Sequence, residues 1–287
     1  MRHAYFPFPE AGPLENRYEY QITKWVHDHL PGERVLSSGT VRFWFDAWFN
    51  NAQADGGSSQ GMLNQNVPVA VWQILQGDRG DLGVLWLQAM GTDAVIVPGK
   101  ASLDGYHDNR APEKFRGVAA ALYDDQQGTV VYRVPRRYTG IGRVVDKGRI
   151  LTVGAIQGGD DTATLSKYVA VIESEDQNRT QVSWQGFDEA RIVAQTSTGQ
   201  SILFQETYDS AWRAYENGRR LNIATEPAMG FMLIDVAPGN HVIRMRFETP
   251  LENRAGQGLF AVTALAMLTL VTLEVVASKP RSYRRTA

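Results

Sequence analysis

The chain has 287 residues, 43% of them hydrophobic, a formal charge of −2 and no cysteine. That length can bury a large core in one or two domains, and the lack of cysteine excludes disulfides, thiolate zinc sites and cysteine nucleophiles. Residues 258–287 hold four bases and one acid, so residues 1–257 carry −5; a mildly acidic body without a basic face argues against nucleic acid as a partner.

The N-terminus, MRHAYFPFPEAGPLENRYEY, has no apolar run and does not read as a secretory signal. In ENRYEYQITKWVHDHL, Tyr18, Ile22, Trp25, Val26 and Leu30 fall on one helical face, and Pro31-Gly32 stops the helix. A short strand follows at Arg34–Ser37, then an aromatic stretch of Phe43, Trp44, Phe45, Trp48 and Phe49 running into the loop NNAQADGGSSQG. Short helices are predicted at Val69–Leu75 and Asp81–Met90; Gly91 turns the chain into AVIVP, an apolar run of strand length. Val118–Tyr123 and Thr129–Val134, separated by a polar turn, read as a hairpin-like pair.

From Pro135 to about Asp161 the chain is rich in glycine and basic residues, and a domain boundary is expected there. A helix is predicted at Thr162–Ser174. Short β-rich segments follow (TQVSW, ARIVAQT, SILFQETY, AWRAYENG, FMLIDV, HVIRMRF), broken by turns, as in an antiparallel sandwich. Glu216-Asn217-Gly218 is the clearest hairpin turn, because Asn-Gly supplies the positive φ it needs.

The run GLFAVTALAMLTLVTLEVVA, residues 258–277, has one charge, Glu274, close to its end. Twenty helical residues span ~30 Å, the thickness of a bilayer's hydrocarbon core. The tail adds Lys279, Arg281, Arg284 and Arg285 with no acid, the signature of a cytoplasmic flank. The expectation is a C-terminal transmembrane helix in a bacterial inner membrane, the body extracytoplasmic and the C-terminus cytoplasmic. Without a leader, that placement is explained by reading the chain as the C-terminal piece of a longer multi-span protein. The competing reading is a tail-anchored protein with a cytosolic body, against the positive-inside rule.

The fold class expected is α+β: a small N-terminal α/β domain (1–137), a linker region (138–165), an antiparallel β-sandwich (166–250), one C-terminal transmembrane helix (258–277) and a basic tail (278–287).

Few motifs carry chemistry. Gly57-Ser58-Ser59-Gln60-Gly61 fits the pattern of a nucleophile elbow at Ser59, but it lacks the apolar strand before it and the helix after it, so a polar loop is the better reading. His27 and His29 lie two apart on a helix and diverge, short of the convergent ligands zinc needs. Asp124-Asp125 and Asp160-Asp161 sit in turns, where carboxylates bond the backbone. No Walker loop or dinucleotide fingerprint is present, and no catalytic residue, metal or cofactor is expected.

Flat aromatics beside amides and a carboxylate suit sugars, whose rings offer an apolar face and a rim of hydroxyls. Trp44, Trp48, Asn50, Asn51 and Asp55 form one such candidate group; Trp212, Tyr215 and Asn217 form a second. In both, the competing reading is core aromatics beside a polar turn.

Several stretches together carry a family resemblance: YQITKWVHDHLPGERVLSSG, FNNAQADGGSSQG, LQAMGTDAVIVPG, PEKFRGVAAALYDDQQGTVVYRV, and YDSAWRAYENGRRL followed by VAPGNHVIRMRFETP. Their order resembles the C-terminal portion of bacterial multi-span membrane proteins of the YfhO type, including those labelled 6-pyruvoyl-tetrahydropterin-synthase-related. The resemblance covers most of residues 15–277. It implies a GT-C-like glycosyltransferase, which moves a sugar from a lipid-phosphate carrier on the outer side of the membrane. Its catalytic acid is expected in the first extracytoplasmic loop, a region not in this sequence. Pterin chemistry would need a histidine zinc cluster, which these histidines do not form.

The resemblance therefore implies an extracytoplasmic portion that helps bind acceptor or glycan in cell-envelope polysaccharide modification and does not itself catalyse. The partners it implies are the lipid bilayer, a glycan or lipid-linked sugar, and N-terminal transmembrane helices of the same protein. The alternative is a non-catalytic glycan-binding or structural assembly module of the envelope.

Overall fold

In the computed structural model, which describes residues 12–56, 62–174 and 180–277, the first regular element is the amphipathic helix α1 (Tyr18–His29). Tyr18, Ile22 and Val26 recur every fourth residue, so they share one face and are buried together with Leu30. They cover a mixed sheet. Its parallel strands are β1 (Arg34–Leu36), β2 (Ala52–Gln53) and β3 (Ala94–Pro98); β4 (Ala120–Asp124) and β5 (Thr129–Arg133) join antiparallel, giving the order β2-β1-β3-β5-β4.

Strand alternation sorts this sheet's side chains to its two faces. Val35, Ala94, Ile96 and Val131 pack with α1 and with Val41 and Phe45 of the α2 region, where α2 is Val41–Trp44. Leu36, Val95, Val97 and Tyr132 point the other way, into a larger cluster with α3 (Asn66–Gln76) and α4 (Gly80–Ala89). Trp86 of α4 is fully buried there and donates its indole N–H to the Gly159 carbonyl at 2.9 Å. Burying side chains of this size contributes roughly 1.5–3 kcal/mol each.

The stretch 138–165, read above as a linker, is built into the body. It contains β6 (Gly142–Asp146) and α5 (Lys147–Thr152), with α6 (Thr162–Ile172) beginning near its end. β6 is the edge strand of a second sheet with β9 (Gln200–Thr207), β12 (Ile223–Thr225) and β13 (Phe231–Ile234), in the order β12-β13-β9-β6. Val145, Leu203 and Leu233 on one face of that sheet join the same large cluster as α3, α4 and α6. The core therefore runs unbroken from the mixed sheet through the helical layer to the second sheet.

The opposite face of the second sheet closes a sandwich. Val144, Ile202, Phe204, Met232 and Ile234 meet Ala190, Ile192, Ala214, Ile243 and Met245 of a third sheet. Its strands are β7 (Gln181–Trp184), β8 (Glu189–Thr196), β10 (Trp212–Glu216), β11 (Arg219–Leu221) and β14 (Gly239–Phe247), in the order β11-β10-β14-β8-β7. In β8 and β14 buried and solvent-facing residues alternate, as one wet face requires. The β10–β11 hairpin turns on Asn217 (φ 50°) and Gly218 (φ 77°), the left-handed pair of a tight hairpin turn. The fold is α+β, with antiparallel pairing predominating in its sheets.

The paired aspartates are turn and cap residues. Asp124 Oδ1 accepts from Gln126 N, Asp125 Oδ1 from Gln127 N and Thr129 N, all at 2.8 Å. Asp161 caps α6 by accepting from Thr164 N at 3.1 Å.

Residues up to Arg246 form one compact unit, and the chain from Phe247 forms a second. The second is the helix α7 (Leu251–Ala277). Its segment Leu251–Glu274 is 24 residues long and contains an 18-residue window of mean hydropathy 1.7; at 1.5 Å per residue the segment is about 36 Å long, enough to cross a membrane. Thr263, Thr269 and Thr272 donate their hydroxyls to the carbonyls four residues back, so these three polar groups are satisfied within the helix. The tail 278–287 and the Gly57–Gly61 loop with Ser59 lie outside the described residues.

Candidate functional site

The residues that follow the parallel strands fix a short aromatic surface. After β1, Gly39 adopts φ 69°, and a Cβ there would lie 2.1 Å from the Asp104 carboxylate. Only glycine fits that approach. Asp104 accepts from Thr40 N at 2.8 Å and from the Thr40 hydroxyl at 3.0 Å, and Asp108 accepts from Gly39 N at 3.1 Å. Burial pushes the Asp108 carboxyl up, against the pull of the Gly39 N–H and of Arg42, whose guanidinium lies 3.6 Å away. These bonds join the loop after β1 to the loop after β3 and set the start of α2.

From that anchored start, Trp44 and Trp48 project four residues apart. Their rings stack in parallel, 5.4 Å between centroids and 6° between planes. Tyr20 of α1 packs edge-on against Trp48 at 5.5 Å and touches Phe49 at 5.3 Å, and Phe49 stacks on His27 at 5.0 Å. The result is a row of aromatic rings running over α1. Trp44 ends the row and is 40% exposed, and neighbouring Phe43 is 55% exposed. Phe45 points inward instead, into the core.

The polar residues beside the row have divided roles. Asn51 donates its amide to the carbonyls of Thr23 (3.1 Å) and Phe45 (3.0 Å), tying the end of the aromatic segment to α1. Gln53 donates to Ser37 Oγ and the Arg42 carbonyl. Asp55 is buried, whereas Asn50 is exposed at the foot of the row. Of the first candidate group, Trp44 and Asn50 are thus exposed, Trp48 and Asn51 are half-buried, and Asp55 is buried.

The second group is split. Trp212 packs edge-on against Phe204 (6.2 Å, 90°) and Trp184 (6.3 Å, 61°) at the rim of the sandwich core. There it forms a wall of a cleft of about 480 Å³, lined also by Tyr208, Ser210, Arg213, Arg220, Leu221, Asn222 and Ile223. Tyr215 and Asn217 do not line that cleft: Asn217 is exposed at the hairpin tip, and Tyr215 lies opposite Arg220 in the hairpin register. The two arginines and Tyr208 escaped the sequence reading. Their signal was the run of arginines Arg213, Arg219 and Arg220 on one hairpin of an acidic body.

No protein-family model, curated protein or solved structure matches this chain.

A shallower cleft of about 410 Å³ lies between α3 and the Gly159 turn, lined by Pro68, Val69, Trp72, Gln73, Gly159 and Asp160. Trp72 there is 68% exposed. Among the described residues no group of three or more histidines and carboxylates is placed to hold a metal ion.

Proposed function

We propose that this chain is the membrane-tethered, extracytoplasmic body of a GT-C-like envelope glycosyltransferase and that it binds glycan. The observation that carries the reading is the parallel stack of Trp44 and Trp48, open to solvent at Trp44 and backed at Trp48 by the edge contact of Tyr20. A rigid flat aromatic surface meets the apolar face of a sugar ring at low conformational cost, and exposed Asn50 offers an amide to its hydroxyls. The apolar helix Leu251–Glu274 supports the tether, and the basic residues Lys279, Arg281, Arg284 and Arg285 support a cytoplasmic C-terminus. The body's part is to hold the acceptor or glycan chain, and no bond-making step is assigned to its residues. Its partners are the bilayer and a glycan or lipid-linked sugar.

A second reading is a structural assembly module of the envelope, favoured by Phe43, an exposed apolar side chain beside the row that a protein partner would cover. An array of envelope oligosaccharides probed with the full chain in nanodiscs separates the two. Retention that disappears in Trp44→Ala without a change in melting supports glycan binding. No retention, or equal retention by the variant, removes that role from the Trp44–Trp48 row and favours assembly.

A further inference from the structure

We propose that the end of the third sheet from which the chain leaves for α7 seats on the lipid surface, with Phe187 inserted among the headgroups. The inference rests on α7 being a membrane span, the tether half of the reading above, and is independent of glycan binding. Phe187 is fully exposed at the tip of the β7–β8 hairpin, where Gln185 N donates to the Glu189 carbonyl at 2.8 Å and closes the loop 186–188. A phenyl ring so placed adds nothing to the sandwich core, and its burial requires a surface outside the body. Two more exposed aromatics stand at this end. Trp184, 42% exposed, ends β7, and Tyr208, 37% exposed, follows β9. Trp212 connects them: its ring lies 6.3 Å from that of Trp184, and it lines one cleft with Tyr208.

The covalent chain says what meets this end. Arg246 of β14 lies opposite Glu189 of β8, so β14 finishes where the β7–β8 hairpin turns. Residues 247–250 alone separate Arg246 from Leu251, the first residue of α7. Five residue steps reach at most ~18 Å. The other end of the sheet, at Gly239 and Asn240, is set back by the length of β14, about 30 Å. α7 carries Glu252 and Arg254 in its opening turns and then no charge until Glu274, which puts the lipid boundary close to its start. The short connection therefore holds the aromatic end of the sheet at high local concentration beside the bilayer. Aromatic rings are favoured at that boundary, where one edge is apolar and the other wet. The charges around the tip do not oppose the contact: Glu189 pairs with Arg244 at 2.6 Å, and exposed Arg246 balances Asp188.

The chain has no cysteine, so one introduced cysteine takes a single nitroxide label. The test uses the full chain in phosphatidylcholine nanodiscs and measures collision of the label with oxygen, which concentrates in lipid, and with a water-soluble nickel chelate. Labels are placed through Gln185→Cys beside the tip, Asn240→Cys at the far end of β14 and Leu265→Cys within α7. The oxygen-to-nickel ratio at position 185 should lie several-fold above that at 240 and below that at 265. Adding Phe187→Ser, at a position that the rest of the body leaves uncovered, should shift the seated-to-free equilibrium roughly tenfold and lower the ratio at 185 toward that at 240, with no change in melting. Equal ratios at 185 and 240, or a ratio at 185 unmoved by Phe187→Ser, would overturn the inference. Low collision with both agents at 185 would mark a protein neighbour in place of lipid and would overturn it as well. A water-like ratio at 265 would remove the span and the inference with it, whereas a lipid-like 265 beside a water-like 185 would remove the inference alone.

Discussion

Asp93 and Arg136 form an ion pair at 2.6 Å with both side chains sealed from solvent, 0% and 2% exposed. Arg136 also donates to the carbonyls of Gly91 (2.7 Å) and Gly140 (2.8 Å) and to Gln205 Oε1 (3.2 Å), so it bridges the approach to β3 with β9 of the sandwich. Asp93 in turn accepts from Arg34 N at 2.9 Å and Gly140 N at 3.3 Å. The pair is the polar pin of the body that presents both candidate sites.

Removing Asp93 takes the nearest carboxylate from a buried guanidinium, leaving Arg136 only Glu173 at 3.5 Å, and strips the Arg34 and Gly140 N–H groups of their acceptor. Asp93→Ala should therefore destabilise the body by about 3–5 kcal/mol, read from denaturant unfolding. Adding Arg136→Met should recover only part of the loss, because the Arg34 and Gly140 N–H groups remain without their acceptor.

Glu226 closes the turn before β13. Its buried carboxylate accepts from the backbone N–H groups of Ala228 (2.7 Å), Met229 (2.8 Å) and Phe231 (3.0 Å). Glu226→Ala orphans these donors and should cost about 2 kcal/mol or more. Burial raises the carboxyl above its ordinary range despite those N–H groups. The folded value then exceeds the unfolded one, so the group's contribution is full below the unfolded value, about 4.3, and is lost as pH rises through the folded value. Unfolding curves of the parent should show that acid-side slope, and those of Glu226→Ala should lack it.

Lys114 donates its ammonium to the carbonyls of Ile74 and Gly77 at the end of α3, both at 2.5 Å. Burial lowers its pKa to about 8, against the pull of Asp78 and Glu113. Between pH of about 8 and about 10.4 the unfolded chain binds more protons than the folded one, so this group's contribution to stability rises with pH. The stability of the parent relative to Lys114→Met should increase across that window, and a flat or falling difference would refute the assignment.

The α7 helix makes a prediction about membrane insertion. Leu265, near the middle of its apolar segment, replaced by Arg should cost about 2.5–3.5 kcal/mol of insertion. Carbonate extraction should leave the parent in the membrane pellet and release a larger share of the variant. A reporter fused after Ala287 should read cytoplasmic. Parent and variant extracting alike, or an outside signal from the reporter, would contradict the span or its orientation.

Much of the body was legible because its signals are local. The Tyr18–Ile22–Val26 stripe, the AVIVP strand and the Asn217-Gly218 turn each depend on neighbours within a few residues. The stretch around Arg136 and Arg143 was not legible. Its glycines and arginines have the composition of a linker, yet both guanidinium groups are buried, and their partners Asp93, Glu173 and Gln205 lie 30 to 69 residues away. The candidate sites divide the same way. Trp44 and Trp48 lie only four residues apart, in the turn that leaves α2, so the pair could be found in the sequence, whereas the use of the Asn51 amide by Thr23 and Phe45 depends on how α1 packs. The cleft at Trp212 gathers Tyr208 and Arg220 only once the strands fold over one another.

Whether the Trp44–Trp48 stack binds glycan is decided by titrating the full chain in nanodiscs with neutral envelope oligosaccharides and following tryptophan fluorescence. The expected result is a saturable change that is abolished in Trp44→Ala, with that variant losing no more than about 1.5 kcal/mol of stability, the worth of one exposed aromatic pair. A saturable signal that survives Trp44→Ala unchanged, or no signal with any glycan, would contradict it.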